Sequence, residues 1–157
     1  MSVSKKLSDL FKENRVPYEL LKHPETYTSQ ETARSGHVSG KKMAKVVMVK
    51  ADDQDVMTVL SAADKLSLNK LKNLIGAKEV RLASEEEFKA LFPDCEVGAM
   101  PPFGSLYRVP FFVDMGLAEN KFIIFNAGTH RESVKISYKD YAKIAQPEIV
   151  QFAAEGA

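Results

Sequence analysis

The chain has 157 residues, 45% of them hydrophobic and 27% charged, with a formal net charge of +1. Those proportions exclude a disordered chain and fit one domain, residues 1–157, with a sizeable core. The charge lacks the basic excess on which DNA-coating proteins rely, but leaves room for a local patch, for which Lys41, Lys42 and Lys45 are the candidates.

Leu7, Leu10 and Phe11 recur at helical spacing and predict an amphipathic helix over residues 4–14, ended by Pro17. Residues 18–22 read as a short strand, and His23-Pro24 imposes extended or turn geometry. Thr28-Ser29-Gln30-Glu31 has the form of a capping box that opens a short helix stopping near Gly36. Valine-rich residues 43–51 and residues 56–62 predict two strands around an acidic turn, a hairpin.

Ser67 and Gly76 bracket a helix carrying Leu68, Leu71, Leu74 and Ile75. Residues 79–83 predict a strand, and Ser84 to Glu87 a second capping box whose helix ends at Pro93. Residues 109–113, 121–125 and 133–136 predict strands, Ser137 caps a helix with Tyr141, Ile144 and Ala145, and residues 147–157 are expected to form a terminal helix. Strands and helices alternate without regular βαβ units, so an α/β fold of the α+β type with a mixed, largely antiparallel sheet is expected.

The single cysteine, Cys95, excludes an intrachain disulfide, and its neighbours Asp94 and Glu96 raise its pKa and keep it a thiol. No signal-peptide pattern opens the chain and no apolar run is long enough to span a membrane, so the cytoplasm is the expected location. His23, His37 and His130 are too dispersed for a zinc motif, and no P-loop, dinucleotide fingerprint or nucleophile elbow is present. No cofactor and no metal are expected.

Three segments carry possible chemistry. Gly98-Ala99-Met100-Pro101-Pro102-Phe103-Gly104 joins glycine freedom to proline stiffness, and its Gly98, Ala99 and Met100 amides, if unpaired, suit a developing oxyanion. A stiff connector is the other reading of that loop. Lys45 opens a strand apolar on both faces, where it either binds phosphate with a lowered pKa or snorkels into water. Phe125 to Glu132 breaks a strand into a polar turn, offering Asn126 to a ribose or carbonyl, with Gly128 in the turn and His130 as a proton-transfer or hydrogen-bonding group. An exposed polar turn is the alternative there.

Taken in order, Ala44-Lys45-Val46-Val47, the Gly-x-x-x-Pro loop with Phe103-Gly104, and the late Asn126-Ala127-Gly128 resemble the YbaK/ProX family of aminoacyl-tRNA editing domains across nearly the whole chain. The resemblance implies a curved, barrel-like sheet surrounded by helices and metal-free deacylation of misacylated tRNA carrying a small acyl group. In the family's pattern the strand-opening lysine matches Lys45, the loop glycine Gly98 and its proline Pro102, while the region around His130 varies among relatives and no catalytic role is carried over for it. With the local reading added, Lys45 and the Gly98, Ala99 and Met100 amides are the expected catalytic groups, and Pro101, Pro102, Phe103, Asn126, Gly128 and His130 the expected substrate contacts. The implied partners are the aminoacylated 3′ end of tRNA and an aminoacyl-tRNA synthetase. Many relatives carry serine where this chain has Pro101, so a hydroxyl role there is absent. A non-catalytic module binding the acceptor end or a nucleotide-like anion is the alternative function.

Overall fold

The structure, a computed structural model, describes residues 5–22, 40–96, 98–129 and 131–154. The expected helix after Thr28, all three histidines and the final residues of the expected terminal helix lie outside them.

Helix α1 (Lys5–Asn14) buries Leu7 and Phe11, as its spacing requires, and packs Phe11 edge-on against Phe103 at 6.0 Å. Strand β1 (Glu19–Lys22) follows, then the hairpin of β2 (Ala44–Ala51) and β3 (Gln54–Ser61). Helix α2 (Leu68–Ile75) starts where the Ser67 side chain accepts the Lys70 N–H and stops at Gly76, whose φ of 69° suits glycine. Strand β4 (Val80–Leu82) leads into α3 (Glu85–Phe88), closed by the reciprocal Ser84–Glu87 capping box and continued by a 3-10 turn at Lys89–Leu91. Arg81 grips the same Glu87 carboxylate with two bonds of 2.8 and 2.6 Å, and this pairing holds the carboxyl far below its ordinary pKa.

The second half contains a 3-10 turn at Gly104–Tyr107, β5 (Phe111–Asp114), α4 (Met115–Ala118), β6 (Phe122–Asn126), β7 (Glu132–Ser137), α5 (Tyr138–Ala145) and β8 (Glu148–Val150). Ser137 caps α5 by accepting the Asp140 N–H. The terminal segment expected to be helical contains β8 instead, paired parallel to β5. Asp114 fixes that segment: its Oδ1 accepts the Phe152 and Ala153 amides at 2.9 and 3.0 Å, while Oδ2 accepts Gly116 N–H and starts α4. Ile149 and Val150 are β-branched, and the backbone partners offered by β5 and Asp114 decide their state.

The strands form two sheets, ordered β1-β7-β6 and β4-β2-β3-β5-β8. Most pairs are antiparallel; β3–β5 and β5–β8 are parallel. The mixed α/β architecture agrees with expectation, whereas closure into a barrel does not occur. Strand β2 pairs with β3 along its whole length and with β4 only over Val49–Ala51, and β6 meets it through an isolated parallel bridge at Met43–Ile124.

Alternation along β2 assigns each face. Ala44, Val46 and Met48 join the main core with Phe11, Phe103 and Phe125, while Val47, Val49 and Ala51 join a second cluster with Leu71 and Phe152. A third cluster of Met43, Ala62 and Ile124 lies at the bridge between the sheets.

Candidate active site

The bridge sets the position of the functional residues. Ile124 N–H donates to Lys42 O at 3.0 Å, and β2 and β6 run parallel from Met43 and Ile124. Lys45 and Asn126 each lie two residues beyond the bridged pair. The strand period of two therefore brings both onto the face that carries Met43 and Ile124.

Lys45 is half-buried, and its Nζ donates to Asp64 O at 2.5 Å. Burial lowers its pKa below the ordinary lysine value; the nearby Asp64 carboxylate opposes the shift and Lys65 adds to it. A lysine so placed keeps a fixed direction and has ammonium protons left for a phosphate or ribose oxygen.

Asn126 is 6% exposed, and its Oδ1 has no hydrogen-bond partner among the described residues. An amide oxygen taken from water without a partner is costly, and a substrate hydroxyl or a water is the acceptor's natural complement. Opposite it in the β6–β7 register stands buried Ser133, and opposite Ser133 in β1 stands Leu21. Glu132 is also buried, with Oε2 unpartnered among the described residues. It falls on the other face of β7, with Val134 and Ile136.

The Gly98 loop and the turn after Asn126 are laced together by backbone. Glu96 N–H donates to Gly128 O at 2.8 Å, and Gly128 N–H donates to Ala99 O at 2.9 Å. Gly98 and Gly128 have φ of 86° and 98°, in the left-handed region, which glycine enters without strain. The expectation of three unpaired amides needs revision. The Ala99 N–H donates to Glu96 O at 3.0 Å, whereas the exposed Gly98 donates at 3.3 Å only to the Met100 sulfur, a weak acceptor. Of these two amides, Gly98 has the weaker acceptor among the described residues.

Ala99, Met100, Pro101, Pro102 and Phe103 are all buried. Phe103 packs against Phe125 at 5.5 Å and Tyr141 at 5.1 Å. These residues anchor the loop in the core, and Gly98 is the exposed residue at its start. Among the described residues no hydrogen bond joins Lys45 to the loop. His130 lies outside the described residues.

Cys95 shares its hydrogen bonds with Asp94 and Tyr107, and its pKa is pushed up to about 12, mainly by burial and further by Asp94. It is no nucleophile at neutral pH. The sequence reading had not identified Asp64, the carbonyl that holds Lys45, nor Ser133 and Glu132. Asp64 shows no local signal of that part, because the contact joins strand β2 to the turn after β3, nineteen residues away.

Residues 23–144 match the aminoacyl-tRNA editing domain family. The multifunctional Ser/Thr-tRNA deacylase ProXp-y of Escherichia coli K12 is 38% identical over 101 residues, 64% of this chain and 60% of that protein. A proline–tRNA ligase of Bacillus cereus is 28% identical over 138 residues, 85% of this chain and 24% of the ligase. The matched stretch thus spans three-fifths of the first relative and about a quarter of the second.

The fold is shared with the crystal structure of hypothetical protein APE2540, with a TM-score of 0.85, 22% identity and coverage of 96% of this chain and 100% of that one. A candidate trans-editing enzyme for prolyl tRNA synthetase gives a TM-score of 0.81 at 18% identity, with 96% of each chain covered. On the match over residues 23–144, this chain belongs to the aminoacyl-tRNA editing domain family.

Proposed function

We propose that this chain hydrolyses the ester joining a small, wrongly attached amino acid to tRNA, as one editing domain acting in the cytoplasm. The observation that carries the reading is the placement of half-buried Lys45 and the unpartnered amide oxygen of Asn126 on one face. Family membership gives that pair its context. The Escherichia coli relative is named for Ser and Thr tRNA, so serine and threonine head the acyl groups to test, with alanine and cysteine behind them. Relatives named as proline–tRNA ligases make a prolyl-tRNA synthetase the first partner to test.

In this mechanism Lys45 holds a phosphate or ribose oxygen of the terminal adenosine. Asn126 Oδ1 accepts a ribose hydroxyl, and the Gly98 N–H leaves the Met100 sulfur for the ester carbonyl. Water attacks the carbonyl carbon, and the oxyanion forms against the Gly98 amide. The carbon–oxygen bond to the ribose then breaks. The proton lost by water reaches the departing ribose oxygen through the neighbouring ribose hydroxyl, so no protein base is required. Lys45 is a positioning group here. The reaction has a reason to exist, because a synthetase pocket separates amino acids differing by one methylene by only about 1–3 kcal/mol.

The test is deacylation of tRNAs carrying Ser, Thr, Ala, Cys or Pro by wild type and Lys45→Ala, each with and without chelator. Selective, chelator-insensitive turnover that Lys45→Ala loses is the expected result. Absence of turnover on every ester overturns the reading.

A further inference from the structure

The outer end of the three-stranded sheet carries a second feature, apart from Lys45 and Asn126. A groove of about 450 Å³ elsewhere, between Lys50, Arg81 and the Asp52 turn, has paired charges of both signs and suggests no ligand. The groove of about 290 Å³ at this end is different. Its walls include Tyr18 and Phe122, two aromatic rings left 41% and 39% exposed. The Lys121 and Lys135 ammonium groups stand 5.8 and 5.3 Å from the Phe122 ring centre. The exposed Lys41 and Lys42 lie alongside, because Asn120 Nδ2 donates to Lys41 O and Ile124 N–H to Lys42 O.

A partly exposed Phe122 with two lysines at its ring, beside a Tyr18 that rests on Phe11 at 4.5 Å, matches the chemistry of unpaired nucleic acid, whose bases stack and whose phosphates need cations. Two carboxylates, Glu19 and Asp140, also line the groove. They disfavour a phosphate inside it and suit the amino or ring N–H donors of a base. The phosphates then fall outside, on the lysines.

Phe122 and Asn126 begin and end the same strand, four residues or about 13 Å apart. Strand alternation puts both on the same face as Lys135 and Ser133.

We infer that the Tyr18–Phe122 groove receives an unpaired base of the tRNA 3′ end, upstream of the aminoacylated adenosine, with the surrounding lysines holding the adjoining phosphates. The choice of tRNA rests on the deacylase reading. The surface gives the enzyme a grip on its substrate that is separate from the reacting ester, so it acts on KM and not on kcat.

The experiment uses uncharged RNA hairpins with and without a single-stranded 3′ extension, titrated against wild type, Phe122→Ala and Phe122→Trp. Wild type and Phe122→Trp should prefer the extended hairpin. Phe122→Ala should bind it about ten-fold more weakly, the scale of one lost stacking contact, while the blunt hairpin distinguishes none of the three. Equal binding of the extended hairpin by wild type and Phe122→Ala, or no preference of wild type for the extension, overturns the inference. Turnover of a short aminoacyl-adenosine ester separates the two proposals. Turnover with unaltered RNA binding in Phe122→Ala removes the groove and keeps the deacylase. No turnover with extension-dependent binding lost in Phe122→Ala removes the deacylase and keeps the groove.

Discussion

Tyr141 donates its hydroxyl to the Pro102 carbonyl oxygen at 2.5 Å, joining the last helix to the middle of the Gly98–Gly104 loop. Both residues are buried. Burial raises the tyrosine pKa well above its ordinary value, so it remains a donor at every working pH. Tyr141→Phe leaves the Pro102 carbonyl without this donor and should cost about 1–3 kcal/mol. The check is a lower urea midpoint at unchanged slope. A loosened loop should also lower kcat.

Lys45 gives a pH prediction of defined sign. Its folded-state pKa lies below the ordinary 10.5, so between the two values the unfolded chain binds more protons. Stability should therefore rise with pH across that window, and Lys45→Met should remove the rise. Activity should move the opposite way, falling as Lys45 loses its charge below pH 10.5. Lys45→Arg should retain whatever activity it has to higher pH. The measurements are denaturation midpoints, and kcat/KM corrected for spontaneous ester hydrolysis.

Asn126 should trade stability for function. Its buried Oδ1 has no partner among the described residues, so Asn126→Leu removes a desolvated polar group at similar volume. The variant should be as stable as wild type, or more stable by about 1 kcal/mol, while turnover falls roughly a hundred-fold. Thermal melting beside single-turnover deacylation reads both. Marked destabilisation would show that the amide supports the fold and would remove it from the site.

Two glycines of one loop should fail differently. A Cβ at Gly104 would meet Val109 O at 2.6 Å and the Phe111 side chain at 2.8 Å. Gly104→Ala should therefore cost about 1–3 kcal/mol through overpacking. Gly98 is exposed, and its constraint is the φ of 86°. Gly98→Ala should cost only about 1–2 kcal/mol of backbone strain, but should lose turnover out of proportion to stability because its N–H is re-aimed. Comparing melting with kcat for the pair tests the separation.

Local chemistry was the legible part of the sequence. Ser67, Gly76, Ser84 with Glu87, and Ser137 signal their caps through side chains that act within three residues, and each helix end formed there. Lys45 stood out as a lysine opening a strand apolar on both faces, and Asn126 as a polar group where a strand breaks into a polar loop.

Whatever depends on distant partners was hidden. Strand β8 read as helix because its partner β5 and the acceptor Asp114 lie more than thirty residues earlier. The fate of the Ala99 amide turned on Glu96 O, a turn closure that glycine and proline content does not specify. The sheets stay open because β6 meets β2 only at the Met43–Ile124 bridge, a property of topology that no single segment carries.

The lacing of the two loops through Glu96, Ala99 and Gly128 uses only main-chain atoms. The lacing itself is therefore indifferent to which side chains stand at those three points, while Ala99 to Phe103 stay constrained by their burial. Glycine at 98 and 128 is the part of the frame least free to drift. In engineering terms, substitution at the exposed Glu96 should yield a folded protein more often than substitution within Ala99 to Phe103.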